Sequence, residues 1–260
     1  MKKIIKYLFL LTGGSFILAS CNDFLDREPL DSVTPDNFFF TENDLAAYAV
    51  KHYNFTTHEG FNAGIWRNDN ATDNQAATDY DKKWIPGQWK VPEAYDNPAS
   101  NDPWYFSAIR EANYFLETVV PRFEKGEIEG SETNIKHYIG EMYFLRAKNY
   151  LSKLETFGDF PIIKNTLPDE SVSLIQASKR EPRHKVARFI LEDLDLAIGL
   201  LTNTISGGKN RITKNAALLL KSRAALYEAS WLTYHKGTAL VPGGPGWPGK
   251  AEDIADFNID

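Results

Sequence analysis

From Trp104 to Trp231 apolar residues return at helical spacing, and this periodicity restricts the fold more than any other feature of the chain. Tyr105, Ile109, Ala112, Leu116 and Val119 follow i, i+4, i+7, i+11 and i+14, which aligns them on one helical stripe. A second helix is predicted from about Asn134 to Phe157. It carries Ile135, Ile139 and Met142 on one face and Tyr143, Ala147, Tyr150 and Leu154 on another. Two apolar faces require neighbours on both sides, and Gly158 and Pro161 supply the stop. A third helix holds Ala187, Ile190, Leu191, Leu194, Ala197, Ile198 and Leu201 on a single stripe. The fourth starts behind an N-cap at Thr213 and carries Ala217, Leu220, Ala224, Tyr227 and Trp231.

These helices repeat in pairs. Arg146-Ala147-x-x-Tyr150 returns as Arg223-Ala224-x-x-Tyr227, each after an earlier amphipathic helix. A small alanine near a tyrosine one turn on lets two helices approach closely, as in tetratricopeptide-type pairs. Residues 158–182 stretch the period beyond a standard repeat, so the repeats read as divergent. The expected architecture is all-α: tetratricopeptide-like helix pairs within residues 34–240, with a Gly/Pro-rich tail at 241–260. Arg146 and Arg223, on largely apolar helices, are expected as buried or half-buried partners of helix carboxylates.

Ahead of the periodic region, Thr34-Pro35 reads as a cap and first helical position, opening a short helix that carries Phe38 to Phe40. Thr41 with Asp44 three residues on resembles a capping box, launching a helix from about Glu42 to Tyr53. Residues 54–103 have no sustained period and form a long irregular insertion rich in aromatics, Pro, Gly, Asn and Asp. An aperiodic stretch of that length is typically functional or disordered, and its aromatic content argues against disorder. Sugars present apolar C–H faces beside hydroxyls, so flat aromatics among amides and carboxylates suit them. Trp66, Asp69, Asp73, Asn74, Trp84, Gln88, Trp89 and Tyr95 are accordingly the candidate glycan-binding residues. The bland alternative is that the tryptophans pin a loop onto the helices, and for Trp104 that reading is preferred.

The N-terminus speaks to compartment. Lys2, Lys3 and Lys6 precede an apolar run from Tyr7 to Ala19, short for a membrane span and suited to a secretory signal at 1–20. It ends in Leu18-Ala19-Ser20-Cys21, which looks like the lipobox of a bacterial lipoprotein, with Cys21 as the acylated (for example palmitoylated) new N-terminus. Residues 21–33 would then be an acidic tether. Removing residues 1–20 takes 29 basic residues to 26 against 35 acidic ones, a balance of −9. Such a protein gains nothing from anionic headgroups, so the lipid must do the anchoring.

Several other classes are disfavoured. An acidic chain with pI near 5.5 lacks the basic face that nucleic acid demands, and a mean hydropathy of −0.39 does not fit a polytopic membrane protein. The single cysteine excludes an internal disulfide or a multi-thiolate zinc site. Gly244 to Lys250 fits the spacing of a phosphate loop but lacks the Ser/Thr for magnesium and a preceding strand. Asp69, Asp73, Asp79 and Asp81 could be read as a glycosidase carboxylate pair or a calcium site, but Ala71 and Lys83 spoil calcium-loop spacing. No cofactor is expected; structural calcium stays open, as does a peptide- or protein-binding scaffold on the same helices.

The ordered series of motifs resembles the RagB/SusD family of lipoproteins. It runs from Cys21-Asn-Asp-Phe-Leu-Asp-Arg-Glu-Pro29 through Ile109-Arg-Glu-Ala-Asn113, Gly140-Glu-Met-Tyr-Phe-Leu-Arg-Ala147 and Gly158-Asp-Phe-Pro161. It continues with Phe189-Ile190, Asp193-Leu-Asp195 and Arg211-Ile-Thr213, then the Arg223 helix. The resemblance implies a non-enzymatic, surface-exposed outer-membrane lipoprotein that captures glycans and hands them to a SusC-like TonB-dependent transporter. Asn113, Glu141, Arg146, Ala147, Tyr150, Asp193, Arg223, Ala224 and Tyr227 would then be structural. Members of that family are much longer, so the resemblance also predicts a C-terminal half beyond the 241–260 tail.

Overall fold

A computed structural model describes residues 38–55, 71–72, 75–76, 85, 104–205, 210–255 and 257. Its elements in chain order are helix α1 (Glu42–Lys51), strands β1 (Ala71–Thr72) and β2 (Gln75–Ala76), then helices α2 (Ser107–Lys125), α3 (Glu132–Phe157), α4 (Ser171–Ala177), α5 (Arg183–Leu200), α6 (Lys214–Tyr234) and α7 (Ala251–Ala255). The architecture is helical, with α2–α3 and α5–α6 as the two pairs. β1 and β2 form an antiparallel ribbon in register Thr72 to Gln75, a scrap of regular structure inside a segment expected to have none.

Helix α3 is the hub. α1, α2 and α5 all pack on it, and α6 packs chiefly on α5. That follows from its two apolar faces: Ile135, Ile139, Met142, Leu145, Ala147, Tyr150 and Leu154 are all buried. α3 lies close against the end of α5 at Gly140, where a Cβ would stand 3.0 Å from Leu200 Cβ and Leu201 Cγ. Glycine is the residue that permits this approach without displacing the neighbouring helix.

Local chemistry sets the helix boundaries. The Thr41 side chain accepts from Asp44 N–H while Asp44 Oδ2 accepts from Thr41 N–H at 2.9 Å, completing the capping box of α1. Thr213 caps α6 by accepting from Ala216 N–H at 3.3 Å. α3 ends at Gly158, whose φ of 73° is cheap for a residue without Cβ. Phe38 to Phe40 are not helical. Phe39 has φ 71° and is fully buried, its ring meeting Tyr48 at 5.1 Å and Phe115 at 5.3 Å. A positive φ at an aromatic residue is unfavourable, and burial in this aromatic cluster holds it.

The stretched repeat has a structural cause. Phe160 and Glu181 exchange two backbone hydrogen bonds of 3.1 Å each, pinching the 161–180 segment off at its base. Arg183 N–H then donates to Asp159 Oδ1 at 2.9 Å as α5 begins. The intervening residues are an excursion carrying α4, stitched back by Thr166 N–H donating to Glu117 Oε2 at 2.7 Å. The tail also differs from a plain loop. It winds through successive turns to α7, where Asp253 pairs with Lys185 of α5 at 2.5 Å and Val241 is buried.

Candidate functional site

Four of the residues expected to be structural meet at one point. Arg146 holds Asp193 in a bidentate pair, Nε to Oδ2 and Nη2 to Oδ1, both 2.7 Å. Its Nη1 donates to Asn113 Oδ1 at 2.9 Å, and Asn113 Nδ2 in turn donates to Ile163 O at 2.8 Å. Tyr150 Oη accepts from Ile163 N–H at 2.8 Å, and burial pushes its phenol up to about 12. α2, α3, α5 and the 161–180 excursion are thus joined through one guanidinium. Burial also pushes the Asp193 carboxyl above its usual range, against the pull of Arg146. Ala147 is fully buried behind this clamp and Ala224 is buried on α6.

Glu141 anchors a second buried ion pair. It accepts from Arg211 Nε at 2.8 Å and pairs with Arg211 Nη2 as well. Arg211 Nη1 reaches the Ala46 carbonyl of α1 at 3.2 Å. His137 Nδ1 accepts from Thr202 N–H at 3.2 Å, while its Nε2 lies 3.2 Å from Glu141 Oε1, off hydrogen-bond alignment. A third pair, Arg183–Glu228, is buried between α5 and α6 with Nη2 2.7 Å from Oε2 and Arg183 4.1 Å over the Trp231 ring. Sequence reasoning missed Arg183 and Glu228. The available signal was a cation at the start of one predicted helix and an anion four residues after Ala224 on the next.

Arg223 and Tyr227 depart from their counterparts. Arg223, expected to be a buried or half-buried partner of a carboxylate, is exposed, and Tyr227 is half-buried. α6 is the last long helix described, so its outer side has no packed neighbour among the described residues. Leu219, Leu226 and Tyr234 are 73%, 69% and 85% exposed there. Arg223 and Tyr227 sit instead on an open apolar hollow with Leu226, Trp231 and Tyr234.

The candidate glycan residues Trp66, Asp69, Asp73, Asn74, Trp84, Gln88, Trp89 and Tyr95 lie outside the described residues, as does Cys21. The structure does describe where their segment is rooted. A groove of about 540 Å³ runs between the end of α1, the start of α2 and the C-terminal half of α3, and both Asn54 and Tyr105 line it. The 54–103 segment therefore leaves from and returns to this one groove. Trp104, just inside its return, lies with its ring 4.0 Å from Phe157 and 5.9 Å from Phe160.

The groove lining is polar on an apolar floor. Lys148, Asn149, Ser152, Lys153 and Thr156 present one stripe of α3 into it, over Met142 and Leu145. Opposite, His52 Nδ1 lies 3.2 Å from Glu111 Oε2. That hydrogen bond, above all, holds the Glu111 carboxyl below its ordinary range. His52 Nε2 is buried and has no hydrogen-bond partner among the described residues. Lys148 Nζ donates to the Asn54 carbonyl at 3.0 Å and lies 5.2 Å from the Phe55 ring centre, and burial pushes its pKa down. This wall escaped the sequence reading, which followed the apolar stripes of α3 and not the polar one between them. Among the described residues no group of three or more His, Cys, Asp or Glu side chains is arranged to hold a metal ion.

Comparison with known proteins adds family information. The SusD-like family described as "Starch-binding associating with outer membrane" matches residues 23–226. Two curated relatives from Formosa agariphila are similar. SusD-like protein P2 is 26% identical over 82% of this chain and 40% of its own length, and SusD-like protein P25 is 23% identical over 89% and 44%. The chain thus spans about two fifths of the length of these relatives. A solved SusD-like protein from Bacteroides fragilis superposes with a TM-score of 0.58 at 26% identity, covering 79% of this chain and 38% of that one. A SusD-like carbohydrate binding protein from the same species gives a TM-score of 0.53 at 17% identity, over 76% and 40%, a likeness of fold.

Proposed function

Because the chain belongs to the SusD-like family, we propose that it is a cell-surface glycan-capture lipoprotein, anchored through Cys21, that passes oligosaccharides to a SusC-like TonB-dependent transporter. The observation that carries this reading is the groove that roots both ends of the aromatic-rich segment. A binding surface built of stacking rings needs a rigid base, and α2 and α3 provide one. On this reading the chain binds glycan without cleaving it, and Trp84 and Trp89, five residues apart across Pro86-Gly87, belong to one stacking arc.

Open, shallow sites of this kind hold sugars with Kd values of about micromolar to millimolar, near −8 to −4 kcal/mol. Trp84→Ala and Trp89→Ala are expected to weaken glycan binding in calorimetric titration while leaving the thermal midpoint in place. Lost stability with retained affinity would make both tryptophans loop anchors and sink the assignment. A second reading, a scaffold for a protein partner, is favoured by the exposed apolar side of α6. Capture of a transporter by a protein that binds no glycan would favour it.

A further inference from the structure

Among the described residues, three basic side chains, Lys51, Lys148 and Lys153, and one histidine face the groove, against the single carboxylate of Glu111. Glu111 is already engaged with His52 at 3.2 Å. The excess of positive charge stands out because the whole chain carries −6. Lys148 is the telling residue. It is half-buried on α3, and its Nζ has a backbone carbonyl at 3.0 Å and an aromatic ring at 5.2 Å. Among the described residues no carboxylate pairs with it, unlike the buried Arg146, Arg183 and Arg211.

A partly desolvated ammonium is costly unless an anion compensates it, and a carbonyl oxygen brings only a partial charge. Lys148 shares its helical face with Asn149 and Ser152, whose amide and hydroxyl suit sugar hydroxyls, while Tyr105 offers a flat ring at the rim. One charge contact surrounded by hydrogen-bonding groups and a ring is the chemistry of an acidic sugar. We propose that this groove selects anionic glycans, chains bearing uronate carboxylates or sulfate esters, with Lys148 as the counter-charge to one acidic group. The proposal rests on the glycan-capture reading and narrows it to a substrate class.

The test uses the purified protein and two matched pairs of probes: an oligogalacturonide with its carboxyl-reduced form, and a sulfated galactan oligosaccharide with its desulfated form. In calorimetric titration at low salt, at least one charged member is expected to bind about tenfold more tightly than its neutral partner, and added salt should erode the gain. The pair that shows the gain distinguishes carboxylate from sulfate. Lys148→Met should abolish the difference between charged and neutral forms, and Lys148→Arg should retain part of it. Equal affinity for charged and neutral forms, or binding confined to other neutral glycans, overturns the anionic class while leaving glycan capture standing. No binding to any glycan brings down the capture reading as well. A charge preference that survives in Lys148→Met removes Lys148 from the role. Should that variant fail to fold, the comparison of charged and neutral probes on the unaltered protein still decides.

Discussion

At the scale of single residues, the protein is organised by arginines that serve helices other than their own. Arg146 meets Asp193 with two 2.7 Å contacts while its remaining nitrogen holds Asn113, so a planar fork is matched on each edge. Removing the fork while leaving its partners would strand a buried carboxylate and an amide. Arg146→Met is therefore expected to lower unfolding free energy by about 3–5 kcal/mol, read as a shift in denaturant midpoint. Replacing Asp193 by Leu in the same chain should recover much of that loss; a double variant as unstable as the sum of the singles would show that the pair is not the unit. Lys164 lies 5.0 Å from the Phe189 ring and its carbonyl 3.4 Å from Arg146 Nη1, so even the exposed excursion feels the clamp.

At the scale of elements, helix existence and order were legible because the apolar periods of α2, α3 and α5 are long and uninterrupted. The caps at Thr41, Gly158 and Thr213 were legible for the same local reason: each depends on residues within one turn. What escaped was decided by contacts distant in sequence. Arg223 repeats the motif of Arg146 letter for letter, yet one is buried because α3 is enclosed by α1, α2 and α5, and the other is exposed on α6. The pinch between Phe160 and Glu181 left no period to read, since two backbone hydrogen bonds suffice to make it. Phe39 adopts its positive φ because Tyr48 and Phe115 enclose it, which local propensity does not report. Ala147, fully buried beside the clamp, tests the packing of the first pair. Ala147→Leu should cost about 1–3 kcal/mol through overpacking, seen as a lower melting midpoint. An unchanged midpoint would mean the interface has slack that its buried surface does not suggest.

At the scale of the whole molecule, the proposed function divides attachment and capture between segments on either side of α1. Cys21 precedes the helices and, on the lipoprotein reading, holds them to the outer membrane through acyl chains worth about 0.8 kcal/mol per buried CH₂. Cys21→Ser should move the protein from the membrane fraction to the soluble one. Retention through a carbonate wash would place the anchor elsewhere. No described helix is long and apolar enough to cross a membrane. The aromatic segment departs from the helices at Asn54 and rejoins them at Tyr105, and both residues sit on one groove. Because its two ends share a root, a lineage can exchange the segment wholesale as a cassette. Loop closure penalises a doubling of length by only about 0.6 kcal/mol. If that segment carries the glycan contacts, as proposed, descendants of one helical frame can acquire new diets by rewriting the cassette, with the Arg146 clamp and the core of α3 inherited unchanged.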